Sequence, residues 1–155
     1  MEHTATVKNH HAQKIADELS HFLADTYILY LKTQNFHWNV KGPNFYSLHK
    51  MFEEQYQELA AAIDEIAERI RALGCYTPAS FAQYSQFTSL KEERGEITAE
   101  QMIQKLVKDH ETLSQLAAQL IPKAQKVHDE GTADLLIQRL KSHDKTAWML
   151  RSSIR

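Results

Sequence analysis

The sequence predicts an all-α fold: a four-helix bundle with a long connection between helices two and three carrying a short helix. Three observations predict it. Apolar residues recur at three- and four-residue steps through four long segments. Gly and Pro number only 4 and 3 in 155 residues and sit mostly between those segments, where punctuation belongs. No stretch alternates apolar and polar residues as a half-buried strand would. With 43% apolar and 25% charged residues, the chain suits one compact domain with a substantial core.

The first helix is expected from about His10 to Trp38, where Ile15, Leu19, Phe22, Leu23, Tyr27 and Tyr30 share a face. Residues 1–9 are polar and read as a short flexible N-terminal tail, leaving 10–155 as a single bundle domain. Val40, Lys41, Gly42 and Pro43 break the pattern. Asn44 is then expected to cap a second helix running through Leu73, with Gly74 as its left-handed stop. Cys75 to Glu96 holds Pro78, Gly95 and several Ser and Thr, too irregular for a long helix, with a short one expected over Ala79 to Tyr84.

Thr98 followed by Gln101 is a capping box. Met102, Leu106, Val107, Leu113, Leu116 and Leu120 then keep helical period to Pro122, with a kinked continuation expected to about Val127. Gly131 and Thr132 open the last helix, where Leu135, Leu136, Leu140, Trp148 and Met149 recur, and Arg151 and Arg155 suit a helix C-terminus. A short turn within each helix pair and a long crossing between the pairs is ferritin-like connectivity rather than simple up-down-up-down.

Composition excludes several function classes. A formal net charge of -2 argues against a surface built throughout for nucleic acid. Cys75 is the only cysteine, so no intramolecular disulfide framework forms, and a buried structural thiol is its expected role. Met1 to His11 lacks the apolar stretch of a secretory signal, and no segment approaches the ~20 apolar residues of a membrane span. The expected compartment is the cytoplasm.

The chemistry concentrates on helix two, which carries His49 with Glu53, and Asp64 with Glu68, each pair one turn apart. Taking His49 as 0°, Glu53, Asp64 and Glu68 fall near ~40°, ~60° and ~100°, a single stripe. Along the axis the two pairs are roughly 16 Å apart, far beyond the ~2 Å of a metal–ligand bond. One helix therefore cannot bring both pairs to one ion. Glu53 lies four residues in from His49, and Asp64 four residues in from Glu68, so the set is symmetric about its own middle. Two antiparallel copies across a two-fold axis set His49 opposite the partner's Glu68 and Glu53 opposite the partner's Asp64, giving two equal sites. His37, just before the short turn, lies within chain reach of His49. Two imidazoles and three carboxylates suit Fe(II) or Mn(II), serve Zn(II), and suit Ca or Mg poorly. Each pair alone more often belongs to a solvated acidic face; symmetry is what raises it above that.

The run from Thr33 to Gly74, including Asn-Phe-His-Trp-Asn-Val-Lys-Gly-Pro-Asn at 35–44 and Asp-Glu-Ile-Ala-Glu-Arg at 64–69, closely resembles the Dps mini-ferritin family. The resemblance continues through Thr132–Leu136 and Lys145 to Leu150. It implies a ferritin-like four-helix bundle and a hollow dodecamer. It implies ferroxidase ligands His37, His49 and Glu53 from one subunit, with Asp64 and Glu68 from its two-fold partner. Relatives often have Asp where this chain has Glu53, whose longer arm can bind differently. The implied activity is oxidation of Fe(II) to a stored ferric mineral, preferentially by H2O2 over O2, at a mononuclear or dinuclear iron site, with Zn2+ or Mn2+ as possible substitutes.

Asp129 and Asp134 match positions that line a cation-entry pore in relatives, although acids at a helix N-terminus are favoured by the dipole in any case. Trp38 and Tyr46, close to the ligands, are expected to pack, with a role in carrying oxidising equivalents as the alternative. Some relatives bind DNA through lysine-rich tails. Here the first fourteen residues offer Lys8 and Lys14 against Glu2, so DNA binding is expected to be weak or absent. Protonation of His3, His10 and His11 adds up to three charges, so DNA binding is expected to appear only below about pH 6.5. The competing functions are a DNA-compacting protein with a vestigial metal site and a redox-inactive metal-buffering cage.

Overall fold

The computed structural model describes the backbone of residues 2–154 and the side chains of residues 10–154. It contains α1 (Glu2–Asn39), α2 (Phe45–Ala72), α3 (Phe81–Phe87), α4 (Ala99–Lys126) and α5 (Glu130–Arg151), with no strand among the described residues. α1 packs on α2 and α4 on α5, each pair joined by a short turn, and contacts of α1 with α4 and α2 with α5 close the bundle. The expected tail over residues 1–9 lies outside the described side chains; the backbone of α1 is helical from Glu2.

Phe22 and Phe36 of α1, Phe52 and Ile66 of α2, Leu106 and Leu113 of α4, and Leu136 and Leu150 of α5 are each at most 1% exposed. They meet as one core. Burying a side chain of this kind is worth about 1.5–3 kcal/mol, which makes packing rather than propensity the main support of the helices.

Helix boundaries follow local chemistry. Gly74 has φ +89° and its N–H donates to Arg71 O at 2.9 Å, the expected left-handed end of α2. At the start of α2, Asn44 holds the N-cap position but its side chain caps nothing. Its φ and ψ of -104° and 23° are not the extended conformation that aims a capping side chain at the N2 and N3 amides. α3 is shifted from the expected Ala79–Tyr84 because Ser80 is its cap, accepting from Gln83 N at 3.2 Å. The Thr98–Gln101 capping box forms, and α4 is continuous through Pro122 to Lys126.

α5 opens at Glu130, one residue before the expected Gly131–Thr132, with Asp129 as its N-cap, whose carboxylate accepts from Thr132 N at 3.1 Å. A Cβ at Gly131 would meet Arg69 Nη2 at 2.9 Å, so glycine is what lets this α2 guanidinium lie on the first turn of α5. Cys75 is half-buried in the chain leaving α2, its thiol donating to Gln13 Oε1 at 3.4 Å, rather than buried as expected. The core is already filled by larger side chains from the helices, and Cys75 follows the terminal Gly74.

The crossing connection is tied to a polar stripe on α1. Asp25 accepts from Thr88 Oγ1 at 2.7 Å and Ser89 N at 2.6 Å, Lys32 Nζ donates to Lys91 O at 2.9 Å, and Asn35 Nδ2 donates to Glu93 O at 3.0 Å. Lys32 also pairs with Asp109 of α4 at 2.8 Å. Burial still pushes the Asp109 carboxyl up, although the Lys32 ammonium opposes it. These bonds anchor α1 along the half that leads to His37.

Candidate metal centre

The turn between α1 and α2 sets the last turn of α1 against the first turns of α2, and this brings His37 and His49 together. Their rings stack with centroids 3.9 Å apart and planes 15° from parallel. Each ring is held by the other's backbone: His37 Nδ1 to His49 O and His49 Nδ1 to His37 O, both at 2.7 Å. A carbonyl oxygen only accepts, so both Nδ1 atoms carry hydrogen, and in each neutral ring the lone pair sits on Nε2. Metal-binding histidines are commonly held in this way, with the non-ligating nitrogen donating to a carbonyl that fixes tautomer and orientation. Tyr56 packs edge-on against His37 at 5.3 Å and Phe45 stacks on His49 at 5.1 Å. His37 is 7% exposed and His49 half-buried.

Glu53, one turn beyond His49, is half-buried, with Lys50 Nζ at 3.6 Å from its carboxylate. Asp64 and Glu68 are exposed at the other end of α2. The Glu68 carboxyl is raised above its ordinary value by the Asp64 carboxyl one turn away, first through a hydrogen bond and then through its charge. Two carboxylates crowded in this way favour a cation between or beside them. Among the described residues of one chain, no group of three or more His, Cys, Asp and Glu converges. A single subunit thus carries its imidazole pair at the α1–α2 turn and the Asp64–Glu68 carboxylates toward the far end of α2.

The other singled-out residues divide. Asp129 is engaged within the subunit: Oδ1 accepts from Arg69 Nη2 at 2.7 Å and Oδ2 from Thr132 Oγ1 at 2.6 Å. Asp134 is exposed. Trp38 and Tyr46 are 62% and 71% exposed, so within the subunit they do not pack as expected. They flank the turn, Tyr46 with Lys50 Nζ 5.9 Å from its ring centroid and Trp38 beside Asn35, Lys41 and Glu93 at the rim of a cavity.

Sequence reasoning overlooked a buried polar chain across α2, α4 and α5. Arg139 Nη1 donates to both oxygens of Glu58, at 2.9 and 2.6 Å, and Nη2 lies 3.1 Å from His143 Nε2. Guanidinium only donates, so His143 Nε2 accepts and its Nδ1 donates to His110 Nδ1, 2.9 Å away. His110 Nε2 then carries hydrogen and has no partner. Burial, and then the Arg139 charge, depresses His110 to about 3; the same two causes and His110 itself lower His143. The available signal was the placing of His110 between Ile103, Leu106 and Leu113, and of His143 between Leu136 and Leu150, on core faces.

The ferritin-like domain model matches residues 16–155. The chain is 41% identical over 140 residues to DNA protection during starvation protein 2 of Bacillus anthracis, covering 90% of this chain and 96% of that one. It superposes with a TM-score of 0.92, at 33% identity, on the Dps protein of Vibrio cholerae O1, described as a member of a broad superfamily of ferritin-like diiron-carboxylate proteins. That match covers 95% of this chain and 92% of the other. Dps from Staphylococcus aureus superposes with a TM-score of 0.89 at 36% identity, over 92% of this chain and 96% of that one. Among the described residues no helix is long and apolar enough to cross a membrane. With its helical bundle, its long crossing and these relatives, the chain belongs to the Dps proteins of the ferritin-like, diiron-carboxylate superfamily.

Proposed function

We propose that this protein oxidises Fe(II) at sites shared between two antiparallel copies of α2 and stores the ferric product in a closed homo-oligomer of twelve subunits in the cytoplasm. The observation that carries the reading is the reciprocal lock on His37 and His49, which leaves both Nε2 lone pairs for a ligand. Asp64 and Glu68 supply the anionic half from the partner subunit, and Glu53, one turn from His49, is the fifth donor.

The residue types fit the task. Imidazole nitrogens hold Fe(II), and carboxylates stabilise Fe(III) once it forms. Two Fe(II) ions give one electron each to hydrogen peroxide, which takes up two protons and leaves as two waters, so no hydroxyl radical is released. Peroxide is the preferred oxidant over O2 because it needs only those two electrons. Asp134, exposed near the start of α5, is the better placed of the two acids to line an entry path for cations, since Asp129 is occupied by Arg69 and Thr132. DNA binding is weak in this reading, given the net charge of -2.

Stopped-flow mixing with Fe(II) and limiting peroxide, followed at ferric absorbance, tests the proposal together with iron retained on gel filtration and light scattering for the assembly. The parent is expected to oxidise and retain iron, and His37→Gly/His49→Gly to assemble but oxidise slowly. Equal rates in the two would mean the site lies elsewhere. DNA binding without iron oxidation would favour an architectural protein instead.

A further inference from the structure

Of the six tyrosines, four form one continuous run of rings that begins at the histidine pair. Tyr56 stands edge-on to His37 at 5.3 Å, Tyr30 lies 6.0 Å from Tyr56, Tyr27 lies 5.7 Å from Tyr30, and Tyr84 stacks on Tyr27 at 4.9 Å and 25°. These centroid spacings are those of aromatic rings in direct contact. The run leads from α2 across α1 to α3, away from the ligands.

The geometry points to a one-electron relay in which Tyr56, Tyr30 and Tyr27 carry an oxidising equivalent away from the iron site. The inference rests on the ferroxidase reading above. When a site holds a single Fe(II), peroxide has two oxidising equivalents to place and the iron takes one. Tyr56 supplies the second electron together with its hydroxyl proton. Fe(II), hydrogen peroxide and the Tyr56 phenol become Fe(III), a tyrosyl radical, one water and one hydroxide. Tyr56 then recovers an electron and a proton from Tyr30, and Tyr30 from Tyr27. A one-electron reductant from solution, such as ascorbate, restores Tyr27.

Hydrogen bonding says where the relay stops. Tyr30 Oη accepts from Gln34 Nε2 at 3.0 Å, and Tyr27, Tyr30 and Tyr56 are half-buried, so their phenolic protons can leave. Tyr84 is 7% exposed and its hydroxyl donates to Pro78 O at 2.6 Å. A carbonyl is no base for that proton, so oxidation of Tyr84 would strand it, and the equivalent rests on Tyr27 against the Tyr84 ring. Trp38, exposed at the turn, is the competing exit.

The test uses the assembled full-length protein, one Fe(II) per site and excess peroxide, with rapid-freeze electron paramagnetic resonance for the radical and ferric absorbance for the iron. The parent should give a tyrosyl signal, and peptide mapping should place oxidation products on Tyr27. Tyr56→Phe should lose the signal while still forming Fe(III), and should gain hydroxyl-radical damage near the ligands. Tyr30→Phe should keep a radical on Tyr56 but lose the products on Tyr27, and Tyr84→Phe should resemble the parent. An unchanged signal in Tyr56→Phe, or its loss in Trp38→Phe, overturns the relay. Iron oxidation without any tyrosyl signal in the parent overturns the relay alone; absence of iron oxidation in the parent overturns the ferroxidase reading as well.

Discussion

His37–His49 and His110–His143 are both imidazole pairs that bridge two helices, and the fold gives them opposite chemistry. In the first, each Nδ1 donates to a backbone carbonyl and each Nε2 is left with its lone pair. In the second, the rings bond to each other through Nδ1, Arg139 occupies Nε2 of His143, and His110 is left with a hydrogen rather than a lone pair. The first pair can take a cation and the second cannot. Proximity of two histidines therefore says little about metal binding; the identity of the engaged nitrogen, and the sign of the nearest charge, decide it.

The largest expected effect separates the pairs by activity. His37→Gly/His49→Gly should slow ferric formation by more than about 100-fold, beyond the range seen when only outer-shell partners are lost. His110→Leu/His143→Leu should keep the parent rate. Stopped-flow absorbance on both variants checks this, and equal slowing in both would erase the distinction.

Arg139 breaks the second pair electrostatically. Arg139→Met leaves Glu58 and the acceptor of His143 without their donor, at a cost of about 1–3 kcal/mol once the exposure of Glu58 is allowed for. The melting temperature should fall by about 2–4 °C for each kcal/mol. A variant as stable as the parent would mean that the chain across α2, α4 and α5 contributes nothing net.

The pH dependence sharpens the same contrast. His110 is held at about 3 against an ordinary 6.5, and His143 is also lowered, so below pH 6.5 the unfolded chain binds protons that the folded one refuses. Their contribution to stability is complete above pH 6.5 and declines as pH falls from there toward about 3. His110→Leu/His143→Leu should flatten that decline in thermal melts recorded across the window. A decline as steep as the parent's would assign acid sensitivity to other groups.

The smallest effect concerns support of the first pair. Phe45→Ala removes the ring stacked on His49 and should slow iron oxidation only a few-fold, less than the 10–100-fold typical of losing a hydrogen-bonded outer-shell partner. Because Phe45 is 42% exposed, stability should change little.

Much of the fold was legible because helical period, Gly74 and the Thr98–Gln101 box are local signals. Errors arose where a side chain answered to something distant. Asn44 sits where a cap should be, yet its backbone angles leave the side chain unused. Asp129 instead caps α5, with Arg69 of α2 stacked over Gly131. Asp25, Lys32 and Asn35 anchor the crossing chain through bonds to residues 58 or more positions away, which no local pattern on α1 signals. Tyr56 lies two turns beyond His49 on the same face, and only its contact with the His37 ring on the neighbouring helix singles it out.

By itself the sequence determined where the helices lie and that α2 carries a nitrogen-bearing end and a carboxylate-bearing end too far apart for one ion, because both follow from a fixed rise and turn per residue. Tertiary structure alone decided which nitrogen of each histidine is free, since that depends on the atom the other nitrogen meets. For His37 that atom is a carbonyl on the neighbouring helix; for His143 it is a guanidinium one turn back, which Glu58 of α2 also holds.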